Sequence, residues 1–337
     1  MRNTFPLSGI LCLTALSLLM ISCSPKAALP EYDNNPDTDW FHDAKVGAFM
    51  HFLPGAETFD LVDKFDVVAL ADQLERAGVK VFELTLGQNS GYFNAPNPVY
   101  DEIAGYKAGE RCAKRDLPME MAKELKKRGI DFMVYLPCQT PNKDNQAITN
   151  FGFNVNDPGS DKFFTEKGVE NWAKVIAWWS QHYGDLVKGW WFDGGYTWCG
   201  FNWAVGREYN KAVKSGNPHS LATFNPGVQK DLNRHCHAAD YTAGEIADDL
   251  LTTVTPGRWV NGAQAHVLTF IGEWWGAYDS LRFTDEQIAG WVKEFTGNGG
   301  VVMFDVGPNY DESVAPIGTI GERQIHQLNV AVKAAGL

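Results

Sequence analysis

The chain has 337 residues, 45% of them hydrophobic, and 29 Lys+Arg against 41 Asp+Glu, a formal net charge of −12. That length and apolar content suffice for a large core without disulfide or metal staples. An acidic balance, with no Lys/Arg run and no basic residues interleaved with aromatics, argues against nucleic acid as a partner.

The first residues read as a targeting segment. "MRNTFPLSGILCLTALSLLMISC" has one early Arg, an apolar run and a small residue before Cys23. Residues 1–22 thus predict a secretory signal, too short and wrongly flanked for a spanning helix. Its end, "LMISC", resembles the lipobox of bacterial lipoproteins, with Met20 less usual at its position. The resemblance implies export, a lipid on Cys23, and a lipid anchor in a membrane, in the periplasm or at the bacterial outer membrane. A freely secreted protein with a nearby cleavage site is the alternative. The Pro/Asn/Asp-rich residues 23–39 read as a tether.

From Trp40 to the end, residues 40–337, short apolar runs alternate with amphipathic stretches. "VGAFMH" predicts a first strand. "VVALADQLERAG" has helical spacing and a terminal Gly, and "VKVFELTL" is a second strand. "DLPMEMAKELKKRG" offers an Asp N-cap, an early Pro and a basic last turn before Gly. "IDFMVYLP" follows as a third strand, then a long helix over "SDKFFTEKGVENWAKVIAWWSQHYG" and a fourth strand, "LVKGWWFDG". "WAVGREYNKAVKSG" predicts a helix and "SLATFNP" a fifth strand. "AADYTAGE" is a weaker sixth strand and "AHVLTFIGE" a seventh. A helix over "TDEQIAGWVKEFTGNG", an eighth strand "GVVMFDVGP" and a helix over "TIGERQIHQLNVAVKAAG" complete the chain. Eight strands alternating with helices predict a single α/β domain, a (β/α)8 TIM-like barrel. A doubly wound open sheet is the alternative, but no glycine-rich phosphate loop follows the first strand.

In such a barrel the functional side chains stand at the C-terminal strand ends. Taken in order, those ends offer His51, Gln88 and Asn89, Tyr135, Asp193, Asn225, Glu245, Glu273 with Trp274 and Trp275, and Asp305. The ring is acid-rich and aromatic, without lysine, and 12 Trp in the chain suit a sugar-stacking cleft as well as a large core. Glycoside hydrolysis needs two carboxyl groups flanking one bond. Asp193 and Glu245, on strands of the same side of the barrel, could serve one ligand. "FDGG" lets the backbone turn sharply after Asp193, although an Asp before two glycines can also simply make a turn. Two carboxyl groups suffice for this chemistry, so neither a metal nor an organic cofactor is expected. "HCH" at His235–His237 reads as a polar loop, since adjacent residues converge poorly on one ion. Cys112, Cys138, Cys199 and Cys236 match no disulfide framework.

Several segments, collinear over nearly all the chain after Trp40, resemble glycoside hydrolase family 29, the α-L-fucosidases. "WFHDAKVGAFMHF" is similar to the family's opening segment, "GWWFDGG" to the strand ending "LWFDG", and "ADYTAGE" to a segment ending "TAE" or "TPE". "TGNGGVVMFDVGPNYDESVAP" resembles the family's last strand and loop. The resemblance implies a retaining exo-glycosidase acting on glycan non-reducing ends. Asp193 would be its nucleophile and Glu245 its acid/base, with Glu57 and Glu273 in reserve. His51 would bond a sugar hydroxyl, and Trp191, Tyr196, Tyr135 and Trp275 would line the pocket.

The departures put fucose specificity in question. Gln88 and Asn89 stand where the family has paired histidines; amides can still bond hydroxyls. Asn225 replaces a frequent Arg, Asp305 a usual Asn, and the sequence ends without the family's usual β-sandwich. A glycosidase for a different sugar, or a non-catalytic glycan-binding lipoprotein on the same barrel, are therefore alternatives. A metal-assisted hydrolase is a weaker one.

Overall fold

The computed structural model describes residues 33–155 and 160–337. The expected signal segment, Cys23 and most of the expected tether lie outside the described residues. Residues 33–337 form one compact unit. The chain is fixed to this unit from Asn35 onward: Asn35 Nδ2 donates to Asp240 Oδ1 at 2.8 Å, and Asp37 pairs with His219 at 2.9 Å.

The strands are β1 (Val46–Met50), β2 (Val81–Thr85), β3 (Asp131–Pro137), β4 (Gly189–Asp193), β5 (Leu221–Phe224), a short hairpin of β6 (Trp259–Val260) and β7 (Ala263–Gln264), then β8 (His266–Phe270) and β9 (Val301–Asp305). Seven of them form one parallel sheet in the order β5-β4-β3-β2-β1-β9-β8. All but one of the strands expected from the apolar runs are therefore present.

The exception is "AADYTAGE", and it corrects the expected closed eight-stranded barrel. Residues 240–246 form no regular strand. They meet both sheet edges through scattered bonds: Asp240 N to Ala222 O (2.8 Å) on the β5 side, and Leu268 N to Gly244 O (2.9 Å) and Ile246 N to Leu268 O (3.2 Å) on the β8 side. Side chains stand in for missing ladder bonds. Thr242 Oγ1 donates to His266 O at 2.7 Å and accepts from His266 N at 2.8 Å. Asp240 Oδ2 accepts from Ala222 N at 2.9 Å. Gly244 has a positive φ of 60°, and a Cβ there would collide with His266 O. A residue in that conformation breaks the β ladder. The result is a curled seven-stranded parallel sheet, TIM-like, with an irregular segment in the sixth position.

Side chains alternate across each strand. On β4, Trp190 and Phe192 pack outward with the helix residues Trp172 and Trp179 in the large core. Trp191 points inward and joins a second cluster with Phe49, Val81, Met133, Tyr135, Tyr241, Leu268 and Met303. Each fully buried side chain of this size contributes about 1.5–3 kcal/mol. The expected helices form at Val67–Ala77, Leu117–Lys127, Glu166–Tyr183, Trp203–Lys214, Asp285–Gly297 and Glu322–Ala334. Asp116 caps the second of them, accepting from Met119 N at 3.1 Å, and Gly78, at φ 83°, ends the first.

Candidate active site

The inward alternation that buries Trp191 brings Asp193 to the C-terminal rim of the sheet. A cavity of about 400 Å3 lies there, lined by His51, Leu53, Gln88, Tyr135, Trp191, Asp193, Glu245, Leu268, Trp275, Gly276 and Tyr310. Seven residues singled out from the sequence are thus brought to one space from six different parts of the chain.

Asp193 ends β4, and the chain turns at once. Gly194 takes a φ of 76°, and its N–H donates to Asp193 Oδ1 at 2.8 Å. The second glycine has a separate reason: a Cβ on Gly195 would lie 3.1 Å from Asn225 O. Asn225 Nδ2 also donates to Asp193 Oδ1, at 2.9 Å, and Tyr135 OH donates to Oδ2 at 2.6 Å. Gln88 Nε2 in turn donates to Tyr135 OH at 2.7 Å. Burial, with Asp193 next, pushes the Tyr135 phenol well above its usual range, so it stays a neutral donor.

Glu245 lies in the irregular segment, where Gly244 bends the backbone. The same Asn225 Nδ2 donates to Glu245 Oε2 at 2.6 Å. An amide nitrogen carries two hydrogens, so one side chain can hold two carboxylates. The two bond lengths, 2.9 and 2.6 Å, place Asp193 Oδ1 and Glu245 Oε2 at most 5.5 Å apart. Burial raises the Glu245 pKa and the Asp193 charge adds to that; the Asn225 bond and His51 pull it back.

His51 follows β1, and its Nδ1 bonds Asp305 Oδ1 at 3.2 Å. The carboxylate accepts, so Nδ1 carries the hydrogen and Nε2 is left for another partner. Asp305 Oδ2 accepts from Gly276 N at 2.5 Å, which holds the Trp275–Gly276 loop against the cavity. Both neighbours of Asp305 are donors. An Asn would turn its NH2 toward one of them, which gives a physical reason for the Asp found here. Trp275 completes this wall, its ring 5.6 Å from His51. Trp191 stacks on Tyr135 at 5.3 Å and donates its Nε1 to Ala243 O at 3.0 Å.

Asn89, Tyr196, Glu57 and Glu273 are not among the lining residues. The backbone carbonyl of Asn89 accepts from Lys143 N at 2.9 Å, and Glu57 and Glu273 are exposed. Tyr196 is half-buried three residues past Asp193. Burial first, then the charges of Asp193 and Glu245, raise its phenol pKa. Tyr310 was not anticipated. Its ring stacks on Phe52 at 5.3 Å, and its OH accepts from Leu53 N at 2.7 Å. An aromatic a few residues past a strand end, in "GPNYDE", was the available signal. His235 donates Nε2–H to Gly195 O at 2.6 Å and stacks on Phe201, so it braces the turn behind Asp193.

The chain resembles solved structures of sugar-cleaving enzymes at low sequence identity. An endo-fucoidan hydrolase of glycoside hydrolase family 107 superposes with a TM-score of 0.67 at 16% identity, over 88% of this chain and 63% of that one. An α-L-fucosidase from Bacteroides thetaiotaomicron, solved as a trapped covalent intermediate, gives 0.60 at 15% identity, over 91% and 76%. α-L-fucosidase isoenzyme 1 from Paenibacillus thiaminolyticus gives 0.58 at 18%, over 88% and 75%. The chain spans between about half and two thirds of the length of the family 107 structures first matched. No curated protein sequence matches it. The Alpha-L-fucosidase family model, however, matches residues 55–329, which include Asp193, Asn225, Glu245 and Asp305. The chain belongs to the alpha-L-fucosidase family.

Proposed function

We propose that the protein is a retaining, exo-acting glycoside hydrolase that removes α-L-fucose from glycan ends, with Asp193 as nucleophile and Glu245 as acid/base. The observation that carries this reading is the shared Asn225 amide. It keeps Asp193 Oδ1 and Glu245 Oε2 no more than 5.5 Å apart, which supports the close pairing of retaining enzymes over the roughly 6.5–9.5 Å of inverting ones.

In the first step an Asp193 oxygen attacks the anomeric carbon. The glycosidic bond breaks, and the departing oxygen takes the proton of Glu245. Burial and the Asp193 charge both favour that proton on Glu245. Once Asp193 is esterified its charge is gone. The Glu245 pKa then falls, which suits its second task of taking a proton from the incoming water. Water attacks the anomeric carbon, Asp193 leaves as carboxylate, and the sugar departs with its configuration retained. Tyr135, Asn225 and Gly194 hold Asp193 in place throughout, and His51 offers Nε2 to a sugar hydroxyl.

The chemistry is tested on a panel of aryl glycosides. The wild type is expected to release aryl alcohol from the α-L-fucoside, and NMR to show the same anomer in the first product. Asp193→Asn should lose about 10^4-fold or more in kcat while melting as the wild type does. Full activity in that variant, or an inverted first product, would sink the assignment. Binding to glycans with no turnover by the folded wild type would favour the glycan-binding alternative. We also propose export and lipid anchoring through Cys23, in the periplasm or at the outer membrane. Labelled fatty acid should enter the wild type and not Cys23→Ala.

A further inference from the structure

We propose that Trp198, backed by Tyr196, is the platform for the sugar unit adjoining the one held at Asp193, so that the site is built for a saccharide rather than a lone sugar. The inference rests on the reading of Asp193 as the reacting residue.

Trp198 stands five residues past Asp193, on the rim side of β4, and is 58% exposed. Leaving an indole in water forgoes the burial that would otherwise stabilise the fold, so its placement is informative. Its ring is not loose. It stacks on Tyr196 at 5.2 Å with an interplanar angle of 13°, and the Tyr196 ring packs against Gly227, where a Cβ would lie 3.3 Å from it, while Gly227 N donates to Oδ1 of Asn225, the residue that bonds both carboxylates, at 3.0 Å. One face of the indole is thus taken.

The turn beneath it is rigid. Thr197–Cys199 is a single 3-10 turn. The buried Cys199 donates Sγ–H to Tyr196 O at 3.1 Å, and Gln139 Nε2 donates to the same sulfur at 2.8 Å. Asn142 Nδ2 fixes Gln139 through its Oε1 at 2.6 Å, and Phe201 N closes on Tyr196 O at 3.2 Å. A flat aromatic face held by a stiff turn, next to a polar cavity, suits the C–H face of a pyranose ring. The ordering cost falls on folding rather than on binding. Two other tryptophans are exposed among the described residues: Trp203, 58% exposed with the Arg207 guanidinium over its ring at 4.9 Å, and Trp274, 67% exposed and tilted 50° to its neighbour Phe270 at 5.7 Å. Neither has coplanar aromatic backing of the Tyr196 kind among the described residues, and so Trp198 is the one assigned.

The test measures binding in the turnover-stopped Asp193→Asn chain, with and without Trp198→Ala. The probes are L-fucose and a panel of α-L-fucosyl disaccharides. We expect the best-bound disaccharide to lose tenfold or more in affinity on Trp198→Ala and L-fucose to change less than twofold. Trp198→Phe should recover most of the loss. Equal losses for both probes, no loss, or a parent chain that binds no disaccharide more tightly than L-fucose would overturn the platform. Turnover of α-L-fucosyl fluoride, which has no second ring, keeps the two readings apart. Trp198→Ala with Asp193 intact should hydrolyse it within twofold of the wild type. A wild type that leaves the fluoride intact speaks against the hydrolase reading, while the binding ratio still decides the platform.

Discussion

Asp193 and Glu83 are both inward-facing acids of the same sheet, and their surroundings are opposite. Asp193 has donors on each oxygen: Tyr135 on one, Asn225 and Gly194 N on the other. Glu83, on β2 in register with Phe49 and Met133, is fully buried. Neither of its oxygens has a hydrogen-bond partner among the described residues, and burial alone drives its pKa well above the usual carboxylate range. Burial by itself therefore gives a neutral, inert acid. What makes a buried carboxylate usable is the set of donors aimed at it. Glu245 combines the two settings, raised by burial and restrained by one amide, which suits the acid/base role proposed for it.

The comparison is broken most severely by removing the member that combines both settings. Glu245→Gln keeps the Asn225 contact but holds no transferable proton. Turnover of aryl fucosides with poor leaving groups should drop by roughly 10^2–10^4-fold. A glycosyl fluoride, whose leaving group needs less protonation, should lose far less in its first step. Equal losses across leaving groups, measured as kcat/KM, would remove Glu245 from the acid role.

Stripping the shared donor is next in size. Asn225→Ala should cost about 10- to 100-fold in kcat, the scale of a misplaced reacting group. It should also move the pH profile. The Asn225 N–H favours the ionised form of Glu245, so its loss raises that pKa. The general acid must be protonated, and activity falls as pH rises through its pKa; the alkaline limb of kcat/KM should therefore shift to higher pH. A shift to lower pH would contradict the geometry. Asp305→Asn should have a milder effect, less than tenfold and mainly on KM. It would leave one of two donors, His51 Nδ1–H or Gly276 N–H, facing an NH2 group. A change confined to kcat would contradict a sugar-holding role for His51.

A contrast between the regular strands and the irregular segment in the sixth position explains what is legible in the sequence. The outward half of each strand is legible because continuous apolar runs between glycines leave little choice, and "GWWFDGG" by itself places Asp193 at a rim. The sixth position was read as a strand from "AADYTAGE", yet its bonds go through Thr242 and Asp240 side chains, which no periodicity reports. The β6–β7 hairpin went unread although "VNGA" carries an Asn-Gly turn signal, and Asn261 and Gly262 both take positive φ. At the site, the strand-end rule accounts for six of the lining residues and the family resemblance for a seventh, Trp191. The rule gave Asn225 no role as the shared donor and passed over Tyr310, because bridging depends on distances between segments far apart in the chain.

The smallest effect on activity is expected from the region the mechanism leaves alone. Glu83→Met keeps the side-chain length and removes the unpaired acid. Turnover should stay within twofold, and stability at pH 7 should rise by about 1–3 kcal/mol, the usual cost of an unsatisfied buried polar group. The sign with pH follows from linkage. In the unfolded chain Glu83 titrates near 4.3; in the folded one its pKa lies well above that. Its folded, protonated form is fully favoured below the unfolded value. That contribution is lost as pH rises from there through the folded pKa. The wild type should thus lose stability over this window relative to Glu83→Met, and toward pH 4 the gap should narrow to the cost of the neutral, unpaired carboxyl. Urea melts at several pH values measure the difference. A gap that widens on acidification would show that Glu83 is ionised and paired in the folded protein, and would remove the contrast with Asp193.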